Sequence, residues 1–271
     1  MKHKLFLVLL FLVLFFSLAN DLFCASEKYK SQLQMVSARL ASLGGTVPTI
    51  LGDINGSFIN PATMGDIEST NFAYSYQNIM GSFVYTQVNS CFQYNDITWG
   101  VSYGGDMLFS IPETSYENSR IRAIDTYAAG FSLLKGTMAK TFYDIWGINT
   151  LSVGANAKLY KQEIKTEYRY GYGLDVGGIF SFNLEDSVLE KMHLGVSLVD
   201  IYAKMNDWNG ISTNDKLSGY GLWGVKFDFF EETLSLFLQR AIDGYYVPFF
   251  SRYLGDVSLG VEYISPADLY L

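Results

Sequence analysis

Ile97-Thr98-Trp99-Gly100-Val101-Ser102-Tyr103-Gly104 alternates without a break between large apolar residues and small or polar ones. Period two belongs to a strand, with Ile97, Trp99, Val101 and Tyr103 on one face and Thr98, Gly100, Ser102 and Gly104 on the other. Downstream, Leu151, Val153, Ala155, Ala157 and Leu159 face away from Thr150, Ser152, Gly154, Asn156 and Lys158 in the same way. Tyr170, Tyr172, Leu174 and Val176 oppose Gly171, Gly173, Asp175 and Gly177, and upstream Phe72, Tyr74 and Tyr76 oppose Ala73, Ser75 and Gln77. The pattern predicts ten strands, near 71–77, 82–94, 97–109, 125–134, 150–159, 170–177, 192–202, 219–230, 233–240 and 255–264. Residues 139–146 are an alternative eleventh, or strand four runs on past a bulge. Asn95-Asp96 and Glu231-Glu232 read as short turns at one end, and 110–124, 162–169, 203–217 and 241–253 as loops at the other.

Composition says which face is wet. Aromatic residues make up 16% of the 271-residue chain, with 20 Tyr and 20 Phe, whereas charged residues make up 17%, below the roughly 25% of soluble domains. A soluble β-sandwich must solvate its outer face; a transmembrane β-barrel turns apolar side chains to lipid and keeps Gly, Ser, Thr and occasional charges inside. The expected fold class is therefore all-β, an antiparallel transmembrane β-barrel. Asp106, Lys158, Asp175, Lys226, Asp256 and Glu262 fall on the polar face and are expected to point inward, pairing across the interior. The net charge of −8 argues against nucleic acid as a partner, since phosphates need a Lys/Arg excess.

Lys2 and Lys4 precede an apolar run from Leu5 to Leu18, shorter than the roughly 20 residues of a membrane-spanning helix and matching a secretory leader. Residues 1–25 are read as a cleaved signal peptide, with cleavage after Ser17-Leu18-Ala19 or near Cys24-Ala25-Ser26. Lipidation of Cys24 is the weaker alternative, because Asp21-Leu22-Phe23 is a poor lipoprotein context. Export places the chain in the outer membrane of a diderm bacterium, among outer-membrane lipid and dependent on barrel assembly machinery. With Cys24 and Cys91 alone there is no disulfide framework, so strand pairing must hold the fold.

Residues 26–70 break the alternation and are expected to form a hatch or plug ahead of the barrel at 71–271. Leu33, Val36, Leu40 and Leu43 recur at helical spacing before Gly44-Gly45. Turn signals follow in Gly52-Asp53-Ile54-Asn55-Gly56 and Asn60-Pro61-Ala62-Thr63-Met64-Gly65. Pro61 fixes its own φ and pushes Asn60 towards an extended backbone, while the Asn side chain bonds nearby peptide groups. The result is a rigid turn, which anchors a hatch or simply leads into strand one.

The run Leu43-Gly44-Gly45-Thr46-Val47-Pro48 through Gly52-Asp53-Ile54, then Phe58-Ile59-Asn60-Pro61-Ala62-Thr63-Met64, resembles the N-terminal signature of the long-chain fatty-acid transporter superfamily of outer-membrane barrels, including its PorV/PorQ-like branch. Leu194-Gly195-Val196-Ser197-Leu198 and Leu259-Gly260-Val261-Glu262-Tyr263 extend the resemblance. It implies a barrel of fourteen strands with an N-terminal hatch, Asp53, Asn60, Pro61 and Ala62 belonging to the hatch motif. It also implies passage of hydrophobic molecules such as fatty acids. The chain departs in length, ending at Asp268-Leu269-Tyr270-Leu271 with Pro266 interrupting the alternation. Either it is a truncated or split gene product, the reading preferred here, or ten strands close a smaller barrel, because open edges in lipid are very costly.

Chemistry is sparse. After the leader there is one histidine, His193, read as an interior hydrogen-bonder. No Ser sits in a Gly-x-Ser-x-Gly context, and no His, Cys and carboxylate cluster has metal-ligand spacing. No enzyme activity, cofactor or metal is expected. Tyr245, Tyr246, Phe249 and Phe250 around Pro248, and Trp208, offer an apolar landing site for a lipid-like ligand or form part of an aromatic girdle. Passive transport of hydrophobic molecules is the leading expectation; a PorV/PorQ-like scaffold binding exported proteins or secretion components, or a structural surface barrel, is the alternative.

Overall fold

The computed structural model describes residues 37–43, 49–79, 81–117, 120–145, 147–184, 188–206, 219–230, 232–243 and 257–264. One antiparallel sheet runs through it in strict chain order. Its strands are β1 (Asn71–Ile79), β2 (Phe83–Tyr94), β3 (Ile97–Glu117), β4 (Arg120–Ile145), β5 (Ile148–Ile164), β6 (Glu167–Asn183), β7 (Leu189–Met205), β8 (Tyr220–Phe229), β9 (Leu234–Asp243) and β10 (Val257–Tyr263). The leader and the aromatic positions Trp208, Tyr245, Tyr246, Phe249 and Phe250 lie outside the described residues, as does Asp256.

Alternation sets the two faces. Along β6, Arg169, Gly171, Gly173 and Asp175 are buried while Tyr168, Tyr170, Tyr172, Leu174 and Val176 between them are exposed. The same parity exposes Trp99, Val101 and Tyr103 on β3 and buries Gly100, Ser102 and Gly104. Register is pinned by tight connections: Tyr94 faces Ile97 across Asn95-Asp96, both in the left-handed region at φ 51° and 57°. That is the backbone of a type I′ hairpin, whose twist matches the strands it joins. At the same end, Gly147 holds φ 80° between β4 and β5, and a Cβ there would meet nothing within 4 Å. Gly147→Ala therefore tests backbone strain alone, and urea unfolding should show a loss of about 1–2 kcal/mol. An unchanged midpoint would mean that the turn relaxes freely.

The N-terminal segment contains a short helix, α1 (Ala38–Ser42), and two 3₁₀ turns, Asn55–Phe58 and Pro61–Met64. Ser37 caps α1, its Oγ accepting from the Leu40 amide at 3.2 Å. Leu40 and Leu43 are buried; Leu33 and Val36 of the expected helix fall outside the described residues. Leu40, Leu43, Ile50, Phe58 and Ile59 form one apolar cluster with Tyr85 on β2, Leu133 on β4, Tyr160 on β5, Val199 on β7, Tyr220 and Leu222 on β8 and Phe237 on β9. A second cluster joins Ile54, Met64 and Ile67 to Cys91 on β2 and Ala139 on β4, with Ala73 of β1 against it. Polar contacts to β3, β6 and β10 complete the set. A sheet in which every strand touches the same short segment must curl around it, so the segment fills the concave side.

Expected boundaries move at 110–124 and 162–169, and at 203–205 and 241–243, where expected loops belong to β7 and β9. Of the two readings of 139–146, the extended fourth strand is the one found over 139–145: β4 continues to Ile145, pairing β5 from Ala129–Ile164 to Ile145–Ile148. Most of 110–124 and 162–169, read as loops, is paired strand; β3 and β4 extend to Glu117 and Arg120 with register shifts after Leu108 and Glu113, and β5 reaches β6 through Lys165-Thr166. Polar composition signalled loops there, but a strand needs no apolar face where both faces are wet, and β-bulges absorb the irregular spacing.

Candidate functional site

Asn60-Pro61-Ala62 docks on the sheet wall. Asn60 is extended at φ −137° and its Oδ1 accepts from the Ala62 amide at 3.0 Å, closing the turn that Pro61 begins. Asn60 Nδ2 donates to the Gly178 carbonyl at 3.4 Å. The wall is notched to receive it. Gly154 and Gly177 face each other across β5 and β6. A Cβ on Gly154 would meet the Ala62 nitrogen and Pro61 oxygen at 2.7 Å, and one on Gly177 would collide with Asn60 Oδ1. Missing side chains, not flexibility, make these glycines necessary.

Side chains from the wall then satisfy the backbone of the segment, which a buried irregular stretch requires. Ser152 Oγ donates to the Ala62 carbonyl at 2.6 Å, Asn156 Nδ2 to the Ser57 carbonyl at 2.8 Å, Ser197 Oγ to the Ile59 carbonyl at 2.5 Å and Thr98 Oγ1 to the Ile67 carbonyl at 3.2 Å. Asn89 Nδ2 donates to Asn55 Oδ1 at 2.8 Å. Lys135, 1% exposed, places Nζ 2.8 Å from Ser57 Oγ and 3.6 Å from the centre of the Phe58 ring. With a hydroxyl and a ring rather than a carboxylate as its partners, this cation bears much of its desolvation cost uncompensated. Lys135→Met should leave unfolding stability unchanged or raise it by about 1–2 kcal/mol; a loss above that size in a denaturant titration would show that the cation is needed to seat the segment.

Asp53 is buried, its Oδ1 accepting from the Asn55 amide at 2.8 Å, and Arg39 reaches it at 3.4 Å. The same guanidinium binds Glu262 on β10 at 2.8 and 3.0 Å. The Glu262 carboxylate, chiefly through these bonds, holds Arg39 above its ordinary pKa. A group already charged at every working pH gains stability that is lost only as pH rises through a still higher value, so alkaline buffers up to pH 10 should leave this latch intact. Glu262 thus faces the segment and couples the last described strand to the first described helix.

Two charged networks occupy the interior. In the first, Lys158 Nζ lies 2.6 Å from Asp175 Oδ1 and 3.0 Å from Asp200 Oδ1, all three buried. Asn156 donates to Asp175 Oδ2 at 2.7 Å, the Asp200 amide to Asp175 Oδ1 at 2.8 Å, and the Tyr160 hydroxyl to Asp200. A bulge delivers Asp200: Leu174 pairs Tyr202 and Val176 pairs Leu198, so three β7 residues oppose Asp175 alone, and Asp200 sits at φ 54°. In the second, His193 bridges Ser181 at 2.7 Å through Nδ1 and Asp228 at 2.9 Å through Nε2. Asp228, fully buried, also accepts from Ser235 at 2.5 Å and binds Lys226 at 2.9 Å.

Asp106, on β3, is buried with Oδ1 accepting from the Phe131 amide at 2.9 Å, away from both networks. Lys158 and Asp175 meet in the first network and Lys226 belongs to the second. Sequence reasoning missed Lys135, Asp200 and Asp228. Asp228 shares the parity of Lys226, so alternation carried that signal; Asp200 has the parity of the half-buried Leu198 and the exposed Tyr202 and gave none. Among the described residues, no group of three or more His, Cys, Asp or Glu is placed to hold a metal ion. No family model matches this chain, and no curated protein matches it.

Proposed function

We propose that this chain is a plugged β-barrel of the outer membrane through which hydrophobic molecules, long-chain fatty acids among them, cross passively. The observation that carries the reading is the inverted distribution of polarity. Asn89, Asn156, Lys158, Asp175 and Asp228 are buried on the concave side, while Phe72, Val101, Leu134, Leu159 and Leu174 are 44–70% exposed on the convex side, where other large apolar side chains are exposed as well. Contiguous apolar surface of that extent is untenable in water and suited to lipid. Exposed rings support the two interfaces: Tyr94, Trp99 and Tyr143 near one end of the strands, Tyr76, Tyr168 and Tyr170 near the other. Closure of the sheet would remove its two edges, which hydrocarbon does not tolerate.

Within a polar interior, the apolar cluster of Leu40, Phe58, Leu133, Val199, Tyr220 and Phe237 provides the kind of surface an acyl chain would take once the plug shifts. Cells deleted for the gene should take up labelled long-chain fatty acid several-fold more slowly than complemented cells; equal rates would refute transport.

The plug's bonds to β2 through β7 and to β10 favour a second reading, a permanently closed scaffold for exported proteins. Gentle extraction from the native membrane followed by native mass spectrometry separates them: bound fatty acid supports transport, and a stoichiometric polypeptide without lipid supports the scaffold.

A further inference from the structure

Ser181 and His193, the latter bonded to the buried Asp228, line a cavity of about 530 Å³ at the turn end of the strands, between the N-terminal segment and the sheet. Ser181, His193, Lys226 and Ser235 line it, with Arg39 and Ile50 from the segment opposite. Cross-strand register builds the row: Ser181 pairs His193 across β6 and β7, His193 pairs Lys226 across β7 and β8, and Asp228 pairs Ser235 across β8 and β9. Neighbouring inward positions are thus fixed relative to one another by backbone hydrogen bonds.

The donors follow from the chemistry. An ionised Asp228 only accepts, so the 2.9 Å contact with Oδ2 puts the imidazole proton on Nε2. With the ring neutral, Nδ1 is left as the acceptor, and the Ser181 hydroxyl, 2.7 Å away, donates to it. Ser235 and Lys226 hold the other carboxylate oxygen, so the ring is fixed in one tautomer. A hydroxyl donating to a neutral imidazole whose far nitrogen is held by a buried carboxylate is an activated nucleophile.

We propose that Ser181 is the nucleophile of an esterase site independent of transport. The cavity falls within the 300–1,000 Å³ usual for small-molecule sites, and its polar, charged lining selects a small, water-soluble carboxylic ester rather than a long acyl chain. Ser181 Oγ bonds to the acyl carbon as its proton passes to His193 Nδ1. Lys226 lines the same cavity, and although it is paired to Asp228 its ammonium carries further N–H donors for the tetrahedral oxyanion. The carbonyl re-forms, the ester C–O bond breaks, and the leaving alkoxide takes the proton from Nδ1. Water then attacks the acyl-serine, giving its proton to Nδ1, and the carboxylic acid leaves as Ser181 recovers its proton.

The test is to treat the full-length protein in micelles with diisopropyl fluorophosphate, locate the adduct by peptide mass spectrometry, and follow hydrolysis of p-nitrophenyl acetate. The expected result is an adduct on Ser181, hydrolysis reduced to the buffer rate in Ser181→Ala, and labelling slowed roughly 100-fold in His193→Gln. Retained burial of Cys91, read by thiol labelling, certifies that each variant is folded. An unmodified Ser181 in the wild-type protein overturns the proposal without recourse to any variant. So does an adduct that forms equally fast in folded His193→Gln, because the serine would then owe nothing to the imidazole.

Discussion

Lys158→Met is expected to lower the free energy of unfolding by about 3–5 kcal/mol, the range for removing one partner of a buried ion pair. The ammonium is 2% exposed, and it sits between Asp175 and Asp200, both without exposed side-chain surface. Methionine matches the stem but leaves two carboxylates facing each other in the interior. Neither can reach water, and Asp175 keeps only Asn156 and the Asp200 amide as donors. Equilibrium unfolding by urea in micelles measures the loss. The triple variant Lys158→Met, Asp175→Asn, Asp200→Asn should recover most of it, since the damage lies in the orphaned charges. A single variant as stable as wild type would show that the carboxylates take up protons and that the network contributes little.

Gly154→Val is expected to dislodge the N-terminal segment while leaving the sheet intact. The new Cβ would overlap the Pro61 and Ala62 backbone, with 2.7 Å to the Ala62 nitrogen, and peptide groups pinned by Ser152 and Asn60 cannot swing aside as a side-chain tip would. Overpacking of this kind costs about 1–3 kcal/mol, here charged almost wholly to docking of residues 49–70. Cys91 reports it, because the thiol is 1% exposed beneath Ile54, Met64 and Ile67. In a Cys24→Ser background, maleimide labelling of Cys91 should accelerate roughly 5- to 150-fold, the same free energy expressed as a population. Gly136→Val, where a Cβ meets nothing within 4 Å, is the control and should leave labelling unchanged. Equal rates in both variants would place the plug's stability elsewhere than at the glycine notch.

The strands were legible because a half-buried sheet imposes period two on its sequence, and Trp99, Val101 and Tyr103 obey it without exception. Interior charges were legible to the extent that parity held: Asp106, Lys158, Asp175 and Lys226 lie on the polar face of their segments, and all four reach interior hydrogen bonds or ion pairs. Asp200 escaped because a bulge reverses its direction, and a bulge leaves no trace in composition. The N-terminal segment was visible as a break in alternation, and Asn60-Pro61-Ala62 as a turn, from local backbone preferences alone. Its seat was not, because Gly154, Ser152 and Ser197 are unremarkable as small residues on a polar face, and their role comes from what lies 90 or more positions earlier in the chain. The Ser181–His193–Asp228 row escaped for the same reason: its members come from three strands, and only register brings them together.

The bond from Arg39 to Glu262 joins residues 223 positions apart, with the N-terminal segment at the beginning of that interval and nearly all of the described sheet inside it. The segment therefore precedes every described strand in the chain, yet one of its partners lies on the last of them. Contacts of such long range are slow to form, since the intervening chain must be ordered before they reward it. During assembly the segment must wait with Leu40, Ile50 and Phe58 uncovered, and each hairpin that arrives buries part of it. The described strands thus gather around a segment that precedes them in the chain, and Glu262 meeting Arg39 marks the step at which β10 has taken its place.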